Sequence, residues 1–187
     1  MKNKKLLFHI SGEKGSGKST LLSWFADDGY FTTEVRLHLE KALKDGEFVA
    51  DKIPIKFWWT EEMVKFCQDY IKEHTLVFLT GLYHKDELAY FKSAGYDTHS
   101  IGVICDEILR YKRIIKRARD CEIKLNLENL REKDRKRNGT EAGFEKSDIS
   151  NLIRYSEIIL FNNNSVKEFR QEYLKLRKYI LYAYRIK

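Results

Sequence analysis

The chain has 187 residues, of which 43% are hydrophobic and 13% aromatic, with a single proline and a formal net charge of +7. This composition supports a folded globule and argues against a linker or a disordered tail, and the length favours one globular domain over two. Three cysteines, Cys67, Cys105 and Cys121, form no CxxC pair, so neither a disulfide framework nor a zinc site is expected. Only a short apolar run follows the basic start, and no run reaches membrane-spanning length. We therefore expect a cytoplasmic protein with no membrane partner.

The apolar runs alternate between strand and helix patterns along the chain. Strands are predicted at residues 5–11, 30–33, 75–81, 99–105 and 157–162. Helices are predicted at residues 19–27, 34–46, 60–74, 84–95, 106–120 and 166–186. Such an alternation predicts an α/β fold in which helices cover both faces of a parallel five-stranded sheet.

The stretch HISGEKGSGKST, residues 9–20, lies between the first strand and the first helix. It matches the pattern G-x-x-x-x-G-K-[ST] through Gly12, Gly17, Lys18 and Ser19. In this pattern the loop N–H groups and the helix N-terminus face a polyphosphate, Lys18 reaches the β and γ phosphates, and the Ser19 hydroxyl binds Mg²⁺. A Gly-rich turn with a solvated lysine is the alternative. The predicted ATP-binding residues are Gly12, Glu13, Lys14, Gly15, Ser16, Gly17, Lys18, Ser19 and Thr20.

The positive charge is concentrated between residues 110 and 137. This segment has twelve Lys/Arg and five Asp/Glu, a difference equal to the excess of the whole chain. Such a segment predicts a polyanionic partner, and either nucleotide phosphates or a nucleic acid would fit. Arg110, Arg113 and Arg117 recur with helical spacing and share one helix face, whether that face binds phosphates or is simply solvated.

Several segments resemble the small P-loop kinases of the nucleoside-monophosphate kinase and dephospho-CoA kinase group, including their adenylate-kinase-like archaeal relatives. The segments that carry the resemblance, besides the loop, are FTTEVRLHL, VFLTGLYHKDELAYFKSAG, IGVICDEILRYKRIIKRARD and EKSDISNLIRYSEIILFNNNSVKEF. The resemblance implies a three-layer P-loop NTPase fold, with residues 1–187 as a single kinase domain. It also implies an acceptor-binding region at about residues 34–74 and a lid insertion at about residues 121–143.

The same resemblance implies roles for individual residues. Arg117 and Arg119, together with Lys18, would be catalytic and contact the transferring phosphates. Arg113 and Asn163 would lie at the adenine of ATP. The acceptor would be bound by Glu34, Arg36, Gly81 and His84. Lys133, Arg135 and Arg137 would be cations of the lid or, alternatively, ordinary surface charges.

Two positions depart from the family pattern. Thr80 stands where the family usually has an aspartate that orders Mg²⁺-bound water, and no arginine closely follows Gly81. A hydroxyl can hold a metal-bound water but brings no charge, so Thr80 and Ser19 are the predicted Mg²⁺ residues, with Asp106 as a weaker replacement acid. His84 could stand in for the arginine or cap a helix.

The residues and the resemblance together predict an ATP- and Mg²⁺-dependent phosphotransferase. It would move the γ-phosphate of ATP to a small phosphate-bearing acceptor, first of all a nucleoside or deoxynucleoside monophosphate. Dephospho-CoA is the alternative acceptor, and a non-catalytic nucleotide-binding regulatory protein is the alternative class. A third hypothesis uses the basic segment for nucleic acid, but the phosphates of two small substrates already account for its charge. We expect a monomer or homodimer.

Overall fold

The computed structural model describes residues 5–35, 67–117, 125–139 and 148–186, except for the side chain of Lys85. The strands are β1 (Lys5–Gly12), β2 (Phe31–Glu34), β3 (Leu76–Thr80), β4 (Tyr96–Ile104) and β5 (Ile158–Phe161). The helices are α1 (Lys18–Asp27), α2 (Lys85–Ser93), α3 (Glu107–Arg117), α4 (Leu127–Arg137), α5 (Ile149–Arg154) and α6 (Val166–Ala183). Residues 67–71 are also helical.

The five strands form one parallel sheet in the order β2-β3-β1-β4-β5. The central strand is β1, which places Leu6 opposite Leu76 of β3 and Lys5 opposite Tyr96 of β4. Parallel neighbours need crossover connections, and helices cover the sheet where the chain makes them. The predicted α/β fold with a parallel five-stranded sheet is therefore confirmed.

Alternate residues of β1 face two separate apolar cores. Leu6, Phe8 and Ile10 pack against α1 and α6, where the rings of Phe25 and Phe78 stack with centroids 3.7 Å apart. Leu7 faces the other core, which includes Val77, Leu79, Phe91 and Ile71. Because a strand side chain changes face at every residue, a strand buried on both faces reads as a continuous apolar run. This two-sided packing fixes the strand end from which the Gly-rich loop departs.

Some elements differ from the sequence prediction. The strand expected at residues 99–105 begins at Tyr96, because polar Asp97, Thr98 and His99 continue the pairing with β1. Helices α4 and α5 were not predicted. In α4 only Leu127 and Leu130 are apolar, so the sequence shows no apolar stripe. The helix begins where the Asn126 side chain accepts a hydrogen bond from the backbone N–H of Asn129, at 2.7 Å.

Two further features of the described residues are the polarity of the helices and the state of the cysteines. The helices of this part are too short or too polar to cross a membrane. Cys67 and Cys105 are free, buried thiols, and burial raises the pKa of the Cys67 thiol to about 12. Cys121 lies outside the described residues.

Candidate functional site

The carboxyl ends of three neighbouring strands meet at one edge of the sheet. Glu34, the last residue of β2, lies opposite Thr80, the last residue of β3, and Thr80 lies opposite Ile10 of β1. Two residues beyond Ile10, at Gly12, β1 passes into the Gly-rich loop. The fold thus brings the loop, Glu34 and Thr80 to the same edge, as expected for ligand sites in open α/β sheets.

Glycine is required at two positions of the loop. Gly15 has φ +82°, and a Cβ there would lie 2.9 Å from the backbone oxygen of Arg110. Gly17 has φ +108°, and its Cβ would collide with Nδ2 of Asn162. Both the backbone conformation and the close approach of neighbours therefore exclude a side chain. Gly17 is also the N-cap of α1, and no side chain of the described residues caps this helix end. Its first-turn N–H groups are thus available to an anion.

Lys18 turns its ammonium group back into the loop. Its Nζ donates hydrogen bonds to the backbone oxygens of Gly12, at 2.5 Å, and Glu13, at 3.0 Å, and the residue as a whole is half-buried. Burial, and next the positive charge of Arg137, lower the pKa of Lys18 from 10.5 to about 8, against the opposing charges of Glu34 and Glu13. The nearby carboxylates do not offset burial and the charge of Arg137, so an anionic ligand would stabilise the charged form of Lys18.

The hydroxyl groups around the loop differ in exposure. Ser19 and Thr20 are exposed in the first turn of α1, whereas Thr80 is buried. The Oγ of Ser16 is buried and has no hydrogen-bond partner within the described ranges. Mg²⁺ in such sites usually takes one or two protein ligands, phosphate oxygens and water, and the open Ser19 hydroxyl fits that arrangement. In the described part of the chain, no three His, Cys, Asp or Glu side chains form a metal-ligand cluster.

Arg113 and Asn162 join α3 to the loop. The Arg113 guanidinium donates to the Cys105 sulfur at 3.1 Å, to Oδ1 of Asn162 at 3.3 Å and to the backbone oxygen of Asn164 at 3.2 Å. In turn, Nδ2 of Asn162 donates to the backbone oxygen of Ser16 at 2.7 Å. Asn162 is a functional candidate that the sequence reasoning missed. The available signal was its place as the first asparagine after β5.

The predicted residue Asn163 lies beside Asp106. Its Oδ1 accepts a hydrogen bond from the Asp106 backbone N–H at 2.7 Å. The Asp106 carboxylate accepts from the backbone N–H groups of Ile108 and Leu109, at 2.9 and 3.2 Å, and so caps α3. Asp106 therefore caps α3, and its suggested role as a replacement acid stays a prediction.

Arg110 is buried, so the interpretation of the α3 arginines as a solvated basic face is wrong for this residue. It is only 5% exposed and forms ion pairs with Glu13 at 2.6 Å and Asp134 at 2.8 Å. It also donates to the backbone oxygen of Lys14 at 3.2 Å. Arg117, on the same helix, is exposed in the last turn.

His84 is the N-cap of α2. Its Nδ1 accepts a hydrogen bond from the Asp86 backbone N–H at 3.3 Å, and the Glu87 carboxylate accepts from the N–H groups of Tyr83, at 2.6 Å, and His84, at 3.0 Å. This capping box is the structural alternative considered for His84. The Arg137 guanidinium lies 6.0 Å from the Tyr83 ring centroid, so the end of α4 reaches the loop that follows Gly81.

Several predicted residues lie outside the described residues: Arg36 and Arg119, most of the acceptor-binding region and parts of the predicted lid. Their roles stay predictions.

The chain is similar in sequence to an archaeal protein over most of its length. A UPF0200 protein of Sulfurisphaera tokodaii is 29% identical over 178 residues, covering 92% of this chain and 96% of that protein. No model of a known protein family matches.

The fold is shared with solved structures of kinases. The shikimate kinase from Bacteroides thetaiotaomicron superposes with a TM-score of 0.62 at 14% identity, covering 94% of this chain and 98% of that chain. The gluconokinase from Sinorhizobium meliloti superposes with a TM-score of 0.59 at 13% identity, covering 97% of this chain and 98% of that chain. At such low identity the similarity shows the fold alone: this chain has the α/β architecture of these two kinases.

Proposed function

We propose that this protein is an ATP-dependent phosphotransferase that moves the γ-phosphate of ATP to a small phosphate-bearing acceptor. A nucleoside or deoxynucleoside monophosphate is the first choice of acceptor, and dephospho-CoA is the second. The observation that carries the proposal is the geometry of the Gly-rich loop. Gly17 begins α1 with no side-chain cap among the described residues, and the Lys18 ammonium lies in the loop, where the backbone oxygens of Gly12 and Glu13 hold it.

The donor side of the proposed site is built from the loop and α3. The N–H groups at the start of α1 and the Lys18 ammonium would hold the β and γ phosphates of ATP. Arg113 of α3 and Asn163, which follows the carboxyl end of β5, would contact the adenine. Ser19, with Thr80, would hold Mg²⁺ or its water. The ion would neutralise charge on the phosphates during transfer.

The acceptor side would begin at Glu34 and the loop after β3. Glu34, Gly81 and His84 lie at or beside the strand ends that face the loop, and Arg36 is proposed to join them. Arg137, with Arg117 and Arg119, would supply cations to the transferring group. Phosphoryl transfer passes through a loose transition state with charge spread over several oxygens, so positioned cations are the main means of catalysis.

The basic segment supports small-molecule phosphates over nucleic acid as its ligand. Arg110 is buried between two carboxylates, Arg131 binds Glu107 at 2.7 Å, and Lys136 binds Glu132 at 2.6 Å. Charges that are paired within the protein contribute little to a nucleic-acid surface. Binding to DNA or RNA at low salt would contradict this part of the proposal.

A second candidate function, nucleotide binding without transfer, is favoured by Thr80. Thr80 is the last residue of β3 and is 3% exposed. The nucleoside-monophosphate kinase and dephospho-CoA kinase group, which the sequence resembles, usually has a carboxylate at this position. A hydroxyl without charge would organise Mg²⁺ less firmly, which would lower turnover and leave ATP binding intact.

One experiment tests both candidates. The protein is incubated with ATP, Mg²⁺ and a panel of nucleoside monophosphates and dephospho-CoA, and phosphorylated products are identified by mass spectrometry. Lys18→Ala is the inactive variant, and Lys178→Ala, an exposed lysine on α6, is the control for loss of one positive charge. Transfer that Lys18→Ala abolishes supports the kinase. ATP binding without any transfer supports the second candidate, and absence of both contradicts the site.

A further inference from the structure

A buried ion cluster lies between the Gly-rich loop and α4. It consists of Arg110 on α3, Glu13 in the loop and Asp134 on α4. The Arg110 guanidinium contacts one carboxylate with each terminal nitrogen, Nη2 to Glu13 at 2.6 Å and Nη1 to Asp134 at 2.8 Å. The Arg110 and Asp134 side chains are 6% and 11% exposed. Since a guanidinium fork binds two acceptors in fixed directions, the cluster sets the loop and α4 relative to each other.

Two further contacts tie α4 to the same place. Nδ2 of Asn138, directly after α4, donates to Oε1 of Glu13 at 3.3 Å. On the inner side of α4, the buried Leu130 packs with Ile114 and Leu125. Polar and apolar contacts therefore hold α4 against α3 and the loop together.

The cluster is a costly way to hold two elements together. It contains two carboxylates for one guanidinium, and Oδ1 of Asp134 is buried with no hydrogen-bond partner in the described part of the chain. Burial, and next the charge of Glu13, raise the pKa of the Asp134 carboxyl. Apolar side chains of similar volume would pack two helices at lower desolvation cost, so an incompletely paired cluster suggests a positional role.

Asp134 and Arg137 are three residues apart on α4 and project from one side of the helix. The rise between them is roughly 4.5 Å. Arg137 lies by the Tyr83 ring, 6.0 Å from its centroid, and its charge acts on Lys18. Any movement of α4 away from the loop would carry Arg137 away from the phosphate site.

We propose that Arg110 and Asp134 are positioning residues that dock α4 on the Gly-rich loop before any nucleotide binds, and so place Arg137 beside Lys18. The docking is a property of the free protein. Its effect on phosphoryl transfer rests on the proposed function, whereas the docking itself does not.

The docking is tested on the protein without nucleotide by hydrogen–deuterium exchange. Asp134→Ala is the variant of choice, because it leaves Arg110 paired with Glu13, whereas Arg110→Ala would take the guanidinium from both the buried Asp134 carboxylate and the partly exposed Glu13 carboxylate. The matched control is Glu132→Ala, which removes a carboxylate from the exposed part of the same helix. We expect α4 amides of Asp134→Ala to exchange about 10- to 100-fold faster than those of the wild type, with the β1 and β3 amides unchanged. Equal α4 exchange in Asp134→Ala and Glu132→Ala would overturn the docking.

The effect on transfer is tested by a double-mutant cycle between Asp134 and Arg137. If Asp134 acts by placing Arg137, then Arg137→Ala lowers kcat by about tenfold or more in the wild type and changes it little in the Asp134→Ala background. Additive losses of kcat would show that Asp134 does not act through Arg137 and would overturn the positioning role. A protein without transfer activity would contradict the proposed function, while the exchange experiment would still decide the docking.

Discussion

Lys18 provides a sharp test of the site, because burial in the free protein disfavours the charged form of its side chain relative to the unfolded chain. Replacement of Lys18 by methionine keeps a long, unbranched side chain but removes the ammonium group. In the folded protein the pKa of Lys18 is lowered from 10.5 to about 8, chiefly by burial. Between these two values the unfolded chain binds more protons than the folded one, so the free energy of unfolding rises with pH in this window.

The size of the effect follows from the two pKa values. A drop from 10.5 to about 8 corresponds to a cost of at most about 3 kcal/mol at neutral pH. Between pH 7.5 and pH 9.5 the wild type is expected to gain about 2 kcal/mol of unfolding free energy relative to Lys18→Met. Other titrating groups are the same in both proteins and cancel in the difference.

The assay is urea denaturation of both proteins at several pH values without nucleotide, with Lys178→Met as the control for an exposed lysine. A polyphosphate would return the pKa of Lys18 toward its ordinary value, so ATP affinity should fall by about tenfold from pH 7 to pH 9. A stability difference that stays constant over this range, or that changes in the opposite direction, would refute the assignment of Lys18 as an ammonium held short of negative charge.

Three other substitutions test separate parts of the structure. Gly17→Ala should lower ATP affinity by more than about tenfold, because it combines backbone strain with displacement of Asn162. The control is Gly29→Ala, at φ +86° with open space around it, which should lower stability by about 1 kcal/mol and leave ATP affinity unchanged. Equal ATP affinities of the two variants by calorimetry would contradict this. Burial, and next the charge of Lys18, lower the pKa of His9 to about 3. The unfolded chain therefore binds a proton that the folded protein does not, and wild-type stability should fall by about 2 to 3 kcal/mol between pH 6.5 and pH 4.5. The fall, measured by denaturation, should be smaller in His9→Leu. Asn162→Ala should weaken ATP binding by about tenfold, because Arg113 and the loop lose their shared partner; affinity equal to the wild type would exclude this role for Asn162.

The loop and the sheet could be predicted from the sequence because local patterns determine them. The spacing of Gly12, Gly17, Lys18 and Ser19 after an apolar run marks a strand, an anion-binding loop and a helix in one stretch. The strand ends were less well predicted. Polar residues such as Asp97 and Thr98 belong to β4 because they pair with the neighbouring strand β1. No local sequence pattern reveals this pairing.

The surroundings of the loop could not be predicted, because contacts between distant segments form them. Arg110 reads as one more cation on a basic helix, and only the fold places Glu13 and Asp134 on either side of it. Helix α4 has no apolar stripe, so its position depends on that cluster and on a few packed side chains. Asn162 is one of three consecutive asparagines, and its place directly after β5 is the only sequence feature that sets it apart from Asn163.

The hydrogen bond from Asn162 to Ser16 has a consequence for how the protein folds. It joins residues that are 146 positions apart in the chain, and β1 itself pairs with β3 and β4, which lie far downstream. Contacts of such high sequence separation form slowly, because the loop-closure entropy is lost before they can stabilise the chain. The Gly-rich loop is therefore completed only after Asn162, 146 residues beyond Ser16, has been synthesised. We expect a chain truncated before β5 to lack a formed loop, and ATP to aid only the last stage of folding.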